Sequence, residues 1–154
     1  MNKYKETALV YFNAGLNIVP FAFFEKDGVW EKKPIIKWQR LQTEKLTAEE
    51  FENLPWDKAQ GFGVVLGKIQ SGLYFCAIEL DVKKLDEKVV QLGRRVFESL
   101  PPAYCEETIN KGLRRFYLAK EEPKTDESFH DTCGVSVLGM NKLCILWPSF
   151  GYQT

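Results

Sequence analysis

Glu79 and Asp81 stand one residue apart in the run Cys76-Ala77-Ile78-Glu79-Leu80-Asp81. Alternate side chains of a strand share a face, so the two carboxylates point the same way and can jointly hold a divalent cation. A strand end carrying solvated acids satisfies the same alternation. Lys111, Arg114 and Arg115 crowd around Gly112, the sharpest basic cluster tied to a turn. Arginine grips phosphate through paired N–H donors without needing a metal, and Gly112 lets the backbone approach a ligand closely. A solvated hairpin is the bland alternative. Lys33, Lys37 and Trp38 suit a nucleic-acid backbone and base, since aromatic stacking tolerates any sequence, although a tryptophan is more often core. His130-Asp131-Thr132-Cys133 has ligand-like spacing, but zinc needs a second close pair, and a plain loop histidine is the simpler reading.

The elements that must position these residues follow from periodicity. Ala8, Leu9, Phe12 and Leu16 recur at helical spacing and predict a helix over 5–16. A strand over 17–24, an Asp27-Gly28 turn and a short strand from Val29 predict a hairpin. Thr47 and Glu50 form a capping box before Phe51 and Leu54. Residues 61–67 and 73–80 read as strands. A helix is expected over 85–99, with Leu85, Val89, Leu92 and Val96 on one face and Pro101-Pro102 ending it. Strands over 106–109 and 115–120 flank the turn at 110–112. Residues 121–132 read as a polar loop, and 135–138 with 143–147 as a last hairpin. Several strand pairs are joined by turns too short for a helical crossover. The expected fold class is therefore α+β, a mixed or antiparallel sheet with flanking helices.

The 154 residues, 45% hydrophobic and 27% charged, suit one domain over 1–154 with a sizeable core. Lys plus Arg equals Asp plus Glu at 21 each, whereas a duplex-gripping protein carries an evident basic excess. Any phosphate-binding surface is then local. Apolar stretches such as 18–24 are too short to span a bilayer, and no apolar core follows the charged N-terminus. Four cysteines without a C-x-x-C pair fit a reducing compartment. No membrane partner and a cytoplasmic location are the expectations.

The order of motifs carries more than any one of them. Gly15 precedes a strand with Val19-Pro20, then Lys33-Pro34 and Lys37-Trp38. Gly61-Phe62-Gly63-Val64-Val65-Leu66-Gly67 leads through Ser71-Gly72 to the acidic cluster. The 110–115 turn runs into an aromatic strand, and Trp147-Pro148-Ser149 precedes Gly151-Tyr152. Over residues 7–152 this succession resembles the N-terminal primase-polymerase domain of the archaeo-eukaryotic primase superfamily. The resemblance implies a metal-dependent nucleotidyltransferase, a DNA primase or polymerase using Mg or Mn. Two strand carboxylates and a third on a later strand hold the metals, and a histidine after a small-residue turn contacts the triphosphate. Glu79 and Asp81 are the candidate catalytic and metal-binding pair, although counting from Gly72 the family's pair falls on Ala77 and Glu79. Arg114 stands where the histidine is expected, and Ser136 where the third carboxylate is expected. Serine supplies no charge for a metal, and arginine repels one while still accepting phosphate.

The expectation is thus a replication-associated domain, from a plasmid or virus, that binds nucleotides or single-stranded DNA or RNA template through Lys111, Arg114 and Arg115. Its catalysis is weak or lost, in the manner of an accessory primase subunit working with other replication proteins. Two alternatives stay open: an active template-dependent enzyme using Glu79 and Asp81, and a protein-interaction module that keeps only the fold.

Overall fold

The computed structural model describes residues 2–154. Helix α1 (Lys3–Asn13) is capped by the Asn2 side chain, which accepts from the N–H groups of Tyr4 and Lys5. Strands β1 (Asn17–Lys26) and β2 (Val29–Pro34) form the expected hairpin, with Asp27 and Gly28 both at positive φ. The short helix α2 (Ala48–Glu52) opens on the Thr47–Glu50 capping box. Strands β3 (Gly61–Val65), β4 (Gly67–Lys68) and β5 (Tyr74–Leu80) lead to helix α3 (Glu87–Glu98). There follow β6 (Cys105–Glu107), β7 (Leu113–Ala119), the single-turn helix α4 (His130–Cys133), β8 (Val135–Leu138) and β9 (Leu143–Leu146).

The architecture is α+β, with every strand pairing antiparallel. It has two sheets, one ordered β2-β1-β3-β9. In the other, β5 is central: β7 and then β6 lie on one side, while β4 and β8 share the other. The main core holds Phe21, Phe62 and Ile145 of the first sheet with Ala77, Phe116 and Leu138 of the second. Tyr11 of α1 bridges them, its ring 6.0 Å from Phe62 and 6.1 Å from Phe75. Trp38 packs against this core, and Lys33 and Lys37 are exposed outside the cleft described below.

Three expectations need correction. Residues 135–138 and 143–147 do not form a hairpin: β8 pairs with β5, and β9 pairs with β3. The intervening loop crosses between sheets and is tied to Leu66, which donates to the Lys142 carbonyl while its own carbonyl accepts from Asn141. Helix α3 buries Gly93 and Phe97 rather than the Leu85-Val89-Leu92-Val96 stripe, and Leu92 and Val96 stay exposed. Gly93 explains the rotation. A Cβ there would stand 1.9 Å from the Cys133 carbonyl oxygen, so the glycine lets α3 press directly onto α4. Finally, the polar stretch 121–132 carries the start of α4, which projects His130 toward the sheet end.

Candidate functional site

Register aligns one polar row across the second sheet. Glu79 of β5 lies opposite Ser136 of β8 on one side and Arg114 of β7 on the other, and Arg114 lies opposite Glu106 of β6. Residues opposite one another share a face, so the row Ser136–Glu79–Arg114–Glu106 looks into the space between the sheets. The neighbouring row, Leu138–Ala77–Phe116, is apolar and fully or nearly fully buried. The polar row therefore closes the core where the sheets begin to part.

Arg114 is 3% exposed, and each of its three guanidinium nitrogens donates a hydrogen bond. Nε donates to Glu79 Oε2 at 2.8 Å, Nη2 donates to the same oxygen, and Nη1 donates to the Ile145 carbonyl at 2.6 Å. Removal from water pushes the Glu79 carboxyl up, but the Arg114 charge and hydrogen bonds overcome that and hold it below its ordinary value. Glu106 behaves oppositely. Burial raises its carboxyl, only partly offset by the Trp147 N–H, 3.0 Å from both oxygens, and by the Tyr104 hydroxyl at 2.9 Å. Arg114 is thus a buried cation between the half-buried Glu79 and the buried Glu106.

Asp81 lies at the rim. Its N–H donates to the Gly134 carbonyl, Oδ1 accepts from the Lys83 N–H at 2.9 Å, and Oδ2 is 3.2 Å from His130 Nε2. The hydrogen bond to Asp81 raises the His130 imidazole above its ordinary value. Two adjoining hollows meet at Glu79 and Asp81. One, about 150 Å³, is lined by Lys32, Asn110, Arg114 and Tyr152 among others. The other, about 320 Å³, adds Glu127, His130, Asp131 and Ser136.

The structure therefore brings Glu79, Asp81, Asn110 and Arg114 to one cleft and leaves two of the expected phosphate ligands outside it. Arg115 points to the opposite face, because neighbouring strand residues alternate. Its Nη1 donates to the Phe97 and Leu100 carbonyls at 3.0 and 3.1 Å, and its guanidinium lies over the Phe97 ring. Lys111 sits exposed at the turn, with φ 68°, and pairs with Glu107 at 3.2 Å. Arg114 lies in the cleft wall, bonded to Glu79.

Arg114 already supplies the positive charge beside Glu79, and both Asp81 oxygens have partners. Among the described residues no three His, Cys, Asp or Glu side chains stand together in a way that could hold a metal ion. Cys133 of the His130 motif is buried against the Phe129 carbonyl, and all four cysteines are free.

Sequence reasoning missed Glu106, Lys32 and Tyr152. The Asp27-Gly28 turn contained a signal for Lys32, since a two-residue hairpin fixes which β2 side chains face inward. No comparable local signal marks Glu106, whose role depends on the pairing of β6 with β7. No protein-family model matches the chain, and no curated protein matches it.

Proposed function

We propose that this chain is a primase-polymerase-like domain serving DNA replication, which binds nucleotide or single-stranded template in its inter-sheet cleft and does not transfer nucleotides. The observation that carries the reading is the ion pair between buried Arg114 and half-buried Glu79 on the central strand pair. Where metal-assisted transfer requires divalent cations to neutralise phosphate and align the attack, this cleft has a fixed guanidinium. A guanidinium bound to the Glu79 carboxylate and the Ile145 carbonyl neutralises charge but offers no open coordination position. Binding then rests on unpaired donors at the cleft mouth. Partnership with other replication proteins belongs to the same reading.

The test combines primer synthesis and extension on single-stranded template, with Mg²⁺ or Mn²⁺, and a separate titration of labelled nucleotide and oligonucleotide. We expect binding without extension. Template-dependent extension that disappears in Glu79→Ala overturns the loss of catalysis. Absence of binding to both ligands at moderate salt overturns the nucleic-acid reading and leaves an interaction module.

A further inference from the structure

The smaller hollow is organised around donors rather than acceptors. Its three carboxylates each have a basic partner: Glu31 has Lys83 at 2.8 Å, Glu79 has Arg114, and Asp81 has His130. Lys32 is the one cation lining this hollow with no carboxylate partner among the described residues. Its side chain projects on the same face as its cross-strand partner, the buried Phe23, toward the second sheet.

The backbone of β2 adds a donor at the same place. Trp30 turns its N–H and carbonyl away from β1, and both are taken by the Asn110 side chain, at 3.1 and 2.9 Å. Pro34 has no N–H. Between them, Lys32 points its N–H the same way by strand alternation, with no partner among the described residues. Opposite lies Tyr152, 5% exposed, whose buried hydroxyl has no hydrogen-bond partner. A buried hydroxyl left unsatisfied is a cost that a ligand can relieve.

We propose that the Lys32 ammonium and backbone N–H, with the Tyr152 hydroxyl, form a metal-independent subsite for a single phosphoryl group. The inference rests on the reading of this cleft as a nucleotide-binding one and names the part of the ligand it holds. Size selects the class. A hollow of about 150 Å³ accepts a tetrahedral oxyanion but not a nucleoside as well, so the sugar and base remain outside. The phosphoryl group is that of free phosphate or of a nucleotide.

The experiment measures calorimetric binding and melting-temperature shift in EDTA at constant ionic strength. Its three ligands are inorganic phosphate, a deoxynucleoside monophosphate and the same deoxynucleoside without phosphate. We expect both phosphates to bind and the nucleoside to bind at least tenfold more weakly. Lys32→Gln and Tyr152→Phe should each weaken phosphate binding at least tenfold. Tyr152→Phe alone should leave the melting temperature without ligand unchanged or raised, because it deletes an unpartnered hydroxyl. Phosphate-independent binding, variants that bind like wild type, or a Tyr152→Phe protein that melts lower without ligand overturns the subsite. Phosphate binding that obeys both variants while no nucleotide or oligonucleotide binds supports the subsite and overturns the nucleic-acid reading. Oligonucleotide and nucleotide binding indifferent to phosphate and to both variants does the reverse. Preference for the monophosphate over inorganic phosphate assigns the site to a nucleotide, and equal affinity assigns it to the free anion.

Discussion

The two faces of the second sheet each hold an arginine from the same dipeptide, Arg114 buried and Arg115 half-buried, in opposite ways. On the cleft face Arg114 lies between Glu79 and Glu106. On the helix face Arg115 meets no acid; it closes the end of α3 by donating to the Phe97 and Leu100 carbonyls. The terminal carbonyls of a helix lack intrahelical partners and carry partial negative charge, so a cation suits them. One arginine neutralises full charges in the protein interior, and the other satisfies dipoles at its edge. A cation is hard to remove where its partners are charged and buried, and easier where they are dipoles near water.

The largest effect should therefore come from Arg114→Met. It leaves half-buried Glu79 and buried Glu106 without a cation, and unfolding free energy from urea denaturation should fall by about 3–5 kcal/mol. The deficit should shrink as pH is lowered, because carboxyls held above their ordinary range take up protons on the folded side. Adding Glu79→Gln to Arg114→Met should recover part of the loss. A single variant as stable as wild type would remove the contrast between the faces.

Two smaller effects sharpen the comparison from the helix side. Gly93→Ala normally strengthens a helix, but here the new methyl meets the Cys133 carbonyl, whose oxygen is backbone and cannot swing away. We expect a loss of about 3 kcal/mol, at the upper end for overpacking, with helicity by circular dichroism retained. Arg115→Met should cost about 1.5 kcal/mol, the scale of charge-assisted hydrogen bonds to partly accessible carbonyls. Arg115→Lys should recover little, since one ammonium does not reproduce the planar contact with Phe97. Chemical denaturation of the three proteins gives the ranking, and Arg115→Met costing more than Arg114→Met would invert it.

The sequence made the local devices legible. Asp27-Gly28 specified a hairpin and Thr47 with Glu50 a helix start, because the turn and the cap are decided within four residues. Alternation put Glu79 and Asp81 on one face, and the pairing of β5 with β7 brings them to the turn at 110–112 in one cleft. What alternation alone could not decide was which arginine faces inward. Grouping Lys111, Arg114 and Arg115 by proximity in sequence overlooks that strand neighbours face apart. The β8–β9 pair misled for a different reason: a four-residue connection between apolar runs looks alike whether it turns a hairpin or crosses between sheets. The pairing of β8 with β5 and of β9 with β3, and the bonds of Leu66 to that loop, distinguish them. The stripe on α3 failed because apolar periodicity cannot register a glycine chosen for close approach to another chain segment.

The smallest effect lies where the faces meet. Helix α4 packs on α3 through Cys133 and Gly93, and from the same turn His130 reaches over the rim to Asp81 at 3.2 Å. Asp131 faces its other nitrogen at 3.4 Å. The hydrogen bond to Asp81 raises the imidazole above its ordinary value in the folded protein, opposed by partial removal from water and helped by Asp131. A base whose folded-state value is raised contributes stability that is fully present below its unfolded value, about 6.5. That contribution is lost as pH rises through the folded-state value. Both side chains are about one-third exposed, so water screens the pair and the contribution stays below about 1 kcal/mol. Wild type should therefore exceed His130→Gln in stability at pH 5 and converge with it by pH 8, measured by urea denaturation at constant salt. Adding salt should narrow the gap at pH 5. A difference that holds constant across the range would mean that the ring matters through packing between α4 and the rim, and that its charge joins the two faces in no measurable way.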